Sequence, residues 1–226
     1  SIAGIIPVSL DKILIPHLIP NSQDAMTYLG IYGANAKIAV IMVLFIQTFR
    51  YAADPFFFGE ASNKEAQKTY ALVMKWFVIA GSFIFLGTML FIDLIQYFIG
   101  SSYREGLGVV PILLMANLLL GIYYNLSFWY KLTDKTIYGA WFSIIGAAIA
   151  IASNIILIPL WGIYGAAWSV LIAYLIPTIL SFYFGRKYFP IPYQVLKIIT
   201  YPLSALVIYG ISAYLNTNIF INAMFN

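Results

Sequence analysis

The sequence predicts an all-α, polytopic transmembrane helical bundle, and three observations carry that expectation. Of 226 residues, 62% are hydrophobic and 9% charged, against about 25% charged in an ordinary soluble domain, and the mean hydropathy is +0.90. The fifty residues from Thr136 to Gly185 hold no charge; as one helix they would reach ~75 Å, more than twice the ~30 Å hydrocarbon thickness. That block must fold back, and its strong turn signal, Pro159-Leu160-Trp161-Gly162, falls near the middle. The apolar runs are long, continuous and rich in Leu, Ile and Ala, unlike the short alternating segments of a transmembrane barrel.

About seven spans follow, over residues 1-19, 24-50, 69-99, 109-131, 136-160, 163-187 and 195-215. Residues 1-20 do not read as a signal peptide, because they lack a basic leader and carry Asp11 and Lys12 after the first apolar run. The second span is predicted to end near Arg50 and Asp54, whose i, i+4 spacing suits an ion pair at the helix end, with a gate as the alternative role. Asp93 near the end of the third span is expected at the interface, and His17, between Pro16 and Pro20, in water. The fourth and fifth spans carry polar stripes at helical spacing: Asn117, Gly121, Tyr124 and Asn125 on one, and Ser143, Ala147, Ala150 and Asn154 on the other. Such a stripe lines an aqueous cavity or forms a packing seam with interhelical hydrogen bonds, the seam being the commoner use. Gly162, Gly165, Ala166 and Ala167 open the sixth span and are read as packing residues. Pro111, Pro177 and Pro202 interrupt otherwise regular spans, with mid-span Pro177 the best hinge. The chain starts at Ser1 and stops as a further apolar stretch, Ile219 to Phe225, begins, so it is expected to be part of a longer protein.

The gaps between spans sort the basic residues. Arg50, Lys64, Lys68, Lys75, Lys131, Lys135, Arg186, Lys187 and Lys197 fall on one side, and the other gaps hold only Arg104 with Glu105 beside it. The positive-inside rule makes the basic side cytoplasmic. The net charge of +4 is thus spread along membrane-flanking loops, so no nucleic-acid partner is expected. Zero cysteines and one histidine leave no disulfide, thiolate metal site or cysteine nucleophile. There is no P-loop and no carboxylate cluster for a divalent metal. The chain is read as having no catalytic residues, no metal site and no enzyme activity.

The informative charges lie inside apolar segments. Lys37 sits midway along Ala25 to Phe49, otherwise free of charge, and Lys12 follows Asp11 in the first span. An ammonium at that depth is costly, and mid-span it cannot easily reach the interface. A water-filled, cationic cavity between helices explains the placement and points to an anionic substrate, with Lys12 and Lys37 as binding residues. Asp11 and Lys12 are adjacent and point ~100° apart on a helix, so each needs another partner; Lys37 is within reach of Asp11 after side-chain extension, a pairing that would leave Lys12 uncompensated. A structural ion pair with the other lysine at the interface is the alternative. Asn117, Tyr124, Asn125 and Asn154 are the other candidate cavity-lining residues.

The chain resembles the oligosaccharide (O-antigen/polysaccharide) flippases of the multidrug/oligosaccharidyl-lipid/polysaccharide exporter superfamily, in their C-terminal half. The resemblance rests on Leu10-Asp11-Lys12-Ile13-Leu14-Ile15, on Gly30-Ile31-Tyr32 continuing to Ala36-Lys37-Ile38-Ala39, and on Arg50 through Pro55-Phe56-Phe57. Gly162-Ile163-Tyr164-Gly165-Ala166-Ala167 and Arg186-Lys187-Tyr188-Phe189-Pro190 add to it. It implies a second six-helix lobe over 1-187, with an additional C-terminal helix and the start of a truncated one over 188-226. It implies alternating access that moves a polyprenyl-pyrophosphate-linked oligosaccharide across the bacterial inner membrane for polysaccharide or lipopolysaccharide biosynthesis. Basic cavity residues, at the positions of Lys12 and Lys37, would hold the pyrophosphate. The implied partners are that lipid-linked substrate, membrane lipids and the N-terminal lobe of the same chain, and the implied coupling ion is Na+ or H+, with no other cofactor. A drug/cation antiporter of the same superfamily would want an acidic, aromatic cavity, against which two lysines and one aspartate argue. An integral-membrane envelope transferase would need its catalytic acid or base elsewhere in the protein.

Overall fold

A computed structural model describes residues 6-19, 22-60 and 65-224, with side chains over 10-19, 24-60 and 65-215. The first residues of the first span, the turn at Asn21 and Lys64 lie outside the described residues. Every regular element among the described residues is helical. The order is α1 (Ile6–Leu18), α2 (Ser22–Glu60), α3 (Ala66–Leu90), α4 (Ile92–Ile95), two 3-10 turns (Gln96–Phe98, Ser101–Gly106), α5 (Val109–Leu126), α6 (Phe128–Leu132), α7 (Ile137–Tyr188) and α8 (Val195–Met224). Five helices are long and apolar enough to cross a membrane: Asp24–Glu60, Ala66–Leu90, Val109–Leu132, Ile137–Tyr188 and Val195–Leu215.

The 52-residue α7 is a hairpin, as the length of the uncharged block from Thr136 to Gly185 requires. Its backbone breaks at Gly162 (φ 56, ψ −130), close to the first central position of a type II′ turn, which glycine adopts readily. Beyond the turn the halves run antiparallel. Phe142 lies against Phe184 with ring centroids 6.0 Å apart, and at the open end the Tyr138 hydroxyl donates to the Tyr188 hydroxyl (2.9 Å). Gly165 faces the other arm so closely that a Cβ there would strike the Leu157 carbonyl. The two glycines therefore do different work. Gly165 packs, as expected, whereas nothing lies within 4 Å of a Cβ on Gly162, which is needed for its backbone conformation and not for packing.

Proline behaves less disruptively than the sequence pattern predicts. Pro111 lies in the first turn of α5, where a missing N–H leaves no intrahelical bond unmade. Pro177 stays inside α7, and its ring fills the crossing opposite Gly146, 3.1 Å from where a Cβ would stand. α2 runs on through Pro55 to Glu60, past the expected end at residue 50. Phe57 anchors this extension: it stacks on Phe128 at 4.0 Å, packs on Tyr70 at 4.7 Å, and its carbonyl accepts from the Tyr70 hydroxyl (2.8 Å). In contrast, α3 stops at Leu90, short of the expected residue 99. The apolar residues after it, among them Leu94, Tyr97 and Phe98, are exposed, so their hydropathy does not place them inside the bundle. α8 packs on α3, with Tyr209 edge-on to Phe85, and continues without a break through the stretch beginning at Ile219.

α5 occupies the centre, buried along most of its length, with α2, α3 and α7 around it, while α1 packs on α7 and α2. Small residues let neighbours approach: Gly121 receives Phe77 and Ile46, Gly81 receives Leu118, and Gly185 receives the Trp129 indole. At the open end of the hairpin, aromatic rings gather the basic residues. Lys131 lies over Phe128 (4.6 Å), Lys135 over Tyr188 (4.6 Å) and Arg186 over Phe182 (5.8 Å). Lys131, Lys135 and Arg186, three of the residues grouped by loop charge, thus share one end of the bundle.

Candidate functional site

α1 and α2 bring the intramembrane charges together. Asp11, Lys12, Tyr32, Lys37 and Asn117 line one pocket with apolar residues of α2, α5 and α7, and its volume is about 80 Å³, room for several waters. Asp11 lies at its inner wall and is 1% exposed. One carboxylate oxygen accepts the Tyr32 hydroxyl and the other the backbone N–H of Lys12 (2.7 Å). Tyr32 is itself 1% exposed, so this contact ties α1 to α2 inside the bundle. The pairing of Asp11 with Lys37 that the sequence leaves open is therefore not formed. The reason is geometric: Tyr32 shares the buried face with Asp11, while Lys12 and Lys37 point to the exposed side of their helices. Among the described residues the only ion pair is Lys68 with Glu65 (2.7 Å). Both pocket lysines are left without a carboxylate partner, one more than that pairing would leave.

Asn117 joins this site from α5, its amide donating to the Ala39 carbonyl (3.2 Å). The other candidate lining residues do not line it. Asn125 is buried and its amide donates to the Gly121 carbonyl (3.0 Å). Asn154, fully buried, does the same to Ala150 (2.7 Å). These two belong to helix-packing seams, each with a buried side-chain oxygen that takes no hydrogen bond, as does Asn35. Tyr124 lies apart from the pocket, under the Arg50 guanidinium, 4.2 Å from its ring centroid. That contact replaces the Arg50–Asp54 ion pair. A guanidinium is weakly hydrated and its flat face stacks well on an aromatic ring, and α5 supplies the ring within reach. Asp54 keeps a buried oxygen with no hydrogen-bond donor, with Lys131 and Arg50 both within electrostatic reach of that end. His17 is exposed as expected, with Nδ1 2.9 Å from the Ile13 carbonyl. Asp93 is exposed in α4, its carboxylate accepting from Gln96 (3.4 Å).

The Asp11–Tyr32 contact carries a prediction about stability. Asp11→Leu should leave the buried Tyr32 hydroxyl without its acceptor and cost about 1–3 kcal/mol, whereas Asp11→Asn, which keeps an acceptor, should cost clearly less. Thermal unfolding in micelles checks this. Equal losses for the two substitutions would mean that the negative charge, and not the acceptor, holds α1 to α2.

Among the described residues no group of histidine, aspartate and glutamate is arranged to hold a metal. Two ammonium groups and an amide thus line a small recess whose one carboxylate accepts from a tyrosine hydroxyl and a backbone N–H. Fold and site together define an all-helical chain with the apolar helices of a multi-pass membrane protein. No family model, curated protein or solved structure matches it.

Proposed function

We propose that the chain is the second lobe, with about seven spans, of a flippase that moves a polyprenyl-pyrophosphate-linked oligosaccharide across the bacterial inner membrane, and that it has no enzymatic activity of its own. The supporting observation is the pair of ammonium groups, Lys12 and Lys37, neither in an ion pair, at one pocket inside an apolar bundle. A pyrophosphate carries the opposite charge, and lysine binds phosphate as a point charge. Charged groups at such depth mark substrate or ion pathways. The same side of α1 and α2 exposes Ile13, Val40, Ile41 and Leu44, surface that an N-terminal lobe would cover to complete the cavity. The basic end of the bundle faces the cytoplasm in this reading, and a gradient of Na+ or H+ drives the cycle.

Two measurements test it. A reporter fused between Gly59 and Gln67 should read cytoplasmic and one near Asn21 periplasmic; reversed signals would overturn the orientation. In cells relying on the full-length protein, Lys37→Gln should accumulate lipid-linked oligosaccharide in the cytoplasmic leaflet, while Lys64→Gln at equal abundance should not. Translocation that continues normally in Lys37→Gln would remove the cationic site from the mechanism.

A further inference from the structure

A second cavity, of about 490 Å³, opens at the closed end of the α7 hairpin, away from the basic residues. This size lies within the ~300–1,000 Å³ of small-molecule sites. It is built from four separate elements: Ile19 after α1, Tyr28 of α2, Glu105 of the second 3-10 turn, and Trp161, Gly162 and Tyr164 at the hairpin turn. The three aromatic side chains stay accessible, Tyr28 at 40%, Trp161 at 57% and Tyr164 at 41%. Tyr164 is set in place by Gly108, where a Cβ would crowd its ring.

Glu105 gives the cavity its charge. The neighbouring Arg104 does not neutralise it: its Nε donates to the Gln96 carbonyl (3.2 Å) and its guanidinium lies over Tyr97 (4.8 Å). No ion pair to Glu105 forms among the described residues. A carboxylate in the recess disfavours an acyl chain and repels anions, while aromatic faces carry the negative side of the ring quadrupole. Both features favour the same ligand, a weakly hydrated organic cation.

From the shared lining of one cavity by Tyr28, Trp161, Tyr164 and the exposed, unpaired Glu105, we propose that the cavity is a binding site for a quaternary or methylated ammonium group. The site does not depend on the flippase reading, since it shares no residue with the lysine pocket. Two sources supply that chemistry, a soluble amine and the headgroup of a choline lipid.

The test is calorimetric titration of choline into the purified full-length protein in nonionic micelles. Saturable binding is expected, weakened about 10-fold in Glu105→Gln and comparably in Tyr164→Leu, and not competed by the neutral isostere 3,3-dimethylbutanol. Repeating the titration in nanodiscs separates the sources. Choline affinity that falls in phosphatidylcholine relative to phosphatidylglycerol nanodiscs assigns the site to the lipid headgroup, and unchanged affinity assigns it to a soluble amine. Absence of saturable binding, equal affinity in Glu105→Gln, or equal competition by the neutral isostere would each overturn the proposal and leave these aromatics as an interfacial belt.

Discussion

Gly165→Ala is expected to lose most of the folded protein, with a destabilisation above the roughly 3 kcal/mol that commonly bounds overpacking. The added Cβ would meet the Leu157 carbonyl and the Ile158 N–H region, which are backbone and cannot rotate aside. The two arms of α7 would have to separate along their whole contact, from the turn to the Tyr138–Tyr188 hydrogen bond. In a membrane, close approach through small residues is a main source of helix association, so little else would compensate. Gly162→Ala, three residues away, is the internal comparison. Its methyl meets open space, and the cost is only that of holding a non-glycine residue at φ 56, about 1–3 kcal/mol. Thermal unfolding of both variants in the same detergent should rank Gly165→Ala well below Gly162→Ala; a reversed order would mean that the turn, and not the arm contact, holds the hairpin.

Neutralising both pocket lysines should affect transport more than either single change. A hydrogen bond to a charged group contributes about 1.5–3 kcal/mol, so losing each ammonium should weaken retention of a pyrophosphate roughly 10- to 100-fold. Lys12→Gln combined with Lys37→Gln is expected to bring translocation of lipid-linked oligosaccharide to background, while Lys12→Arg with Lys37→Arg retains a measurable part. Both side chains are exposed and lack a carboxylate partner, so thermal stability should change little, which separates a transport defect from misfolding. A double Gln variant that transports at the wild-type rate would end the proposed role of these residues.

Lys12, Lys37 and Asp11 stand out in the sequence because charge inside an apolar run is visible without knowing any contact. The identity of Asp11's partner is not visible. Lys37 is an obvious choice by charge, yet the carboxylate is satisfied by Tyr32, a residue that pattern reading treats as ordinary apolar filling. A buried tyrosine one helix away from an unpaired aspartate is the signal that could have indicated it. Arg50 shows the same limitation: its i, i+4 neighbour Asp54 is evident along the chain, whereas the Tyr124 ring comes from a helix far away in sequence. α2 extends past Pro55 for a related reason, since the Phe57, Tyr70 and Phe128 cluster that holds it draws on three elements.

Hydropathy, uninterrupted length and loop charge are properties each residue carries regardless of its neighbours. They were therefore enough to establish the helical class, the fold-back near Gly162 and the shared end of Lys131, Lys135 and Arg186. Which polar groups are satisfied, which glycine turns and which one packs, and which lysines remain uncompensated depend on the helix faces that meet. Those pairings join residues tens of positions apart, and they are set by three-dimensional packing.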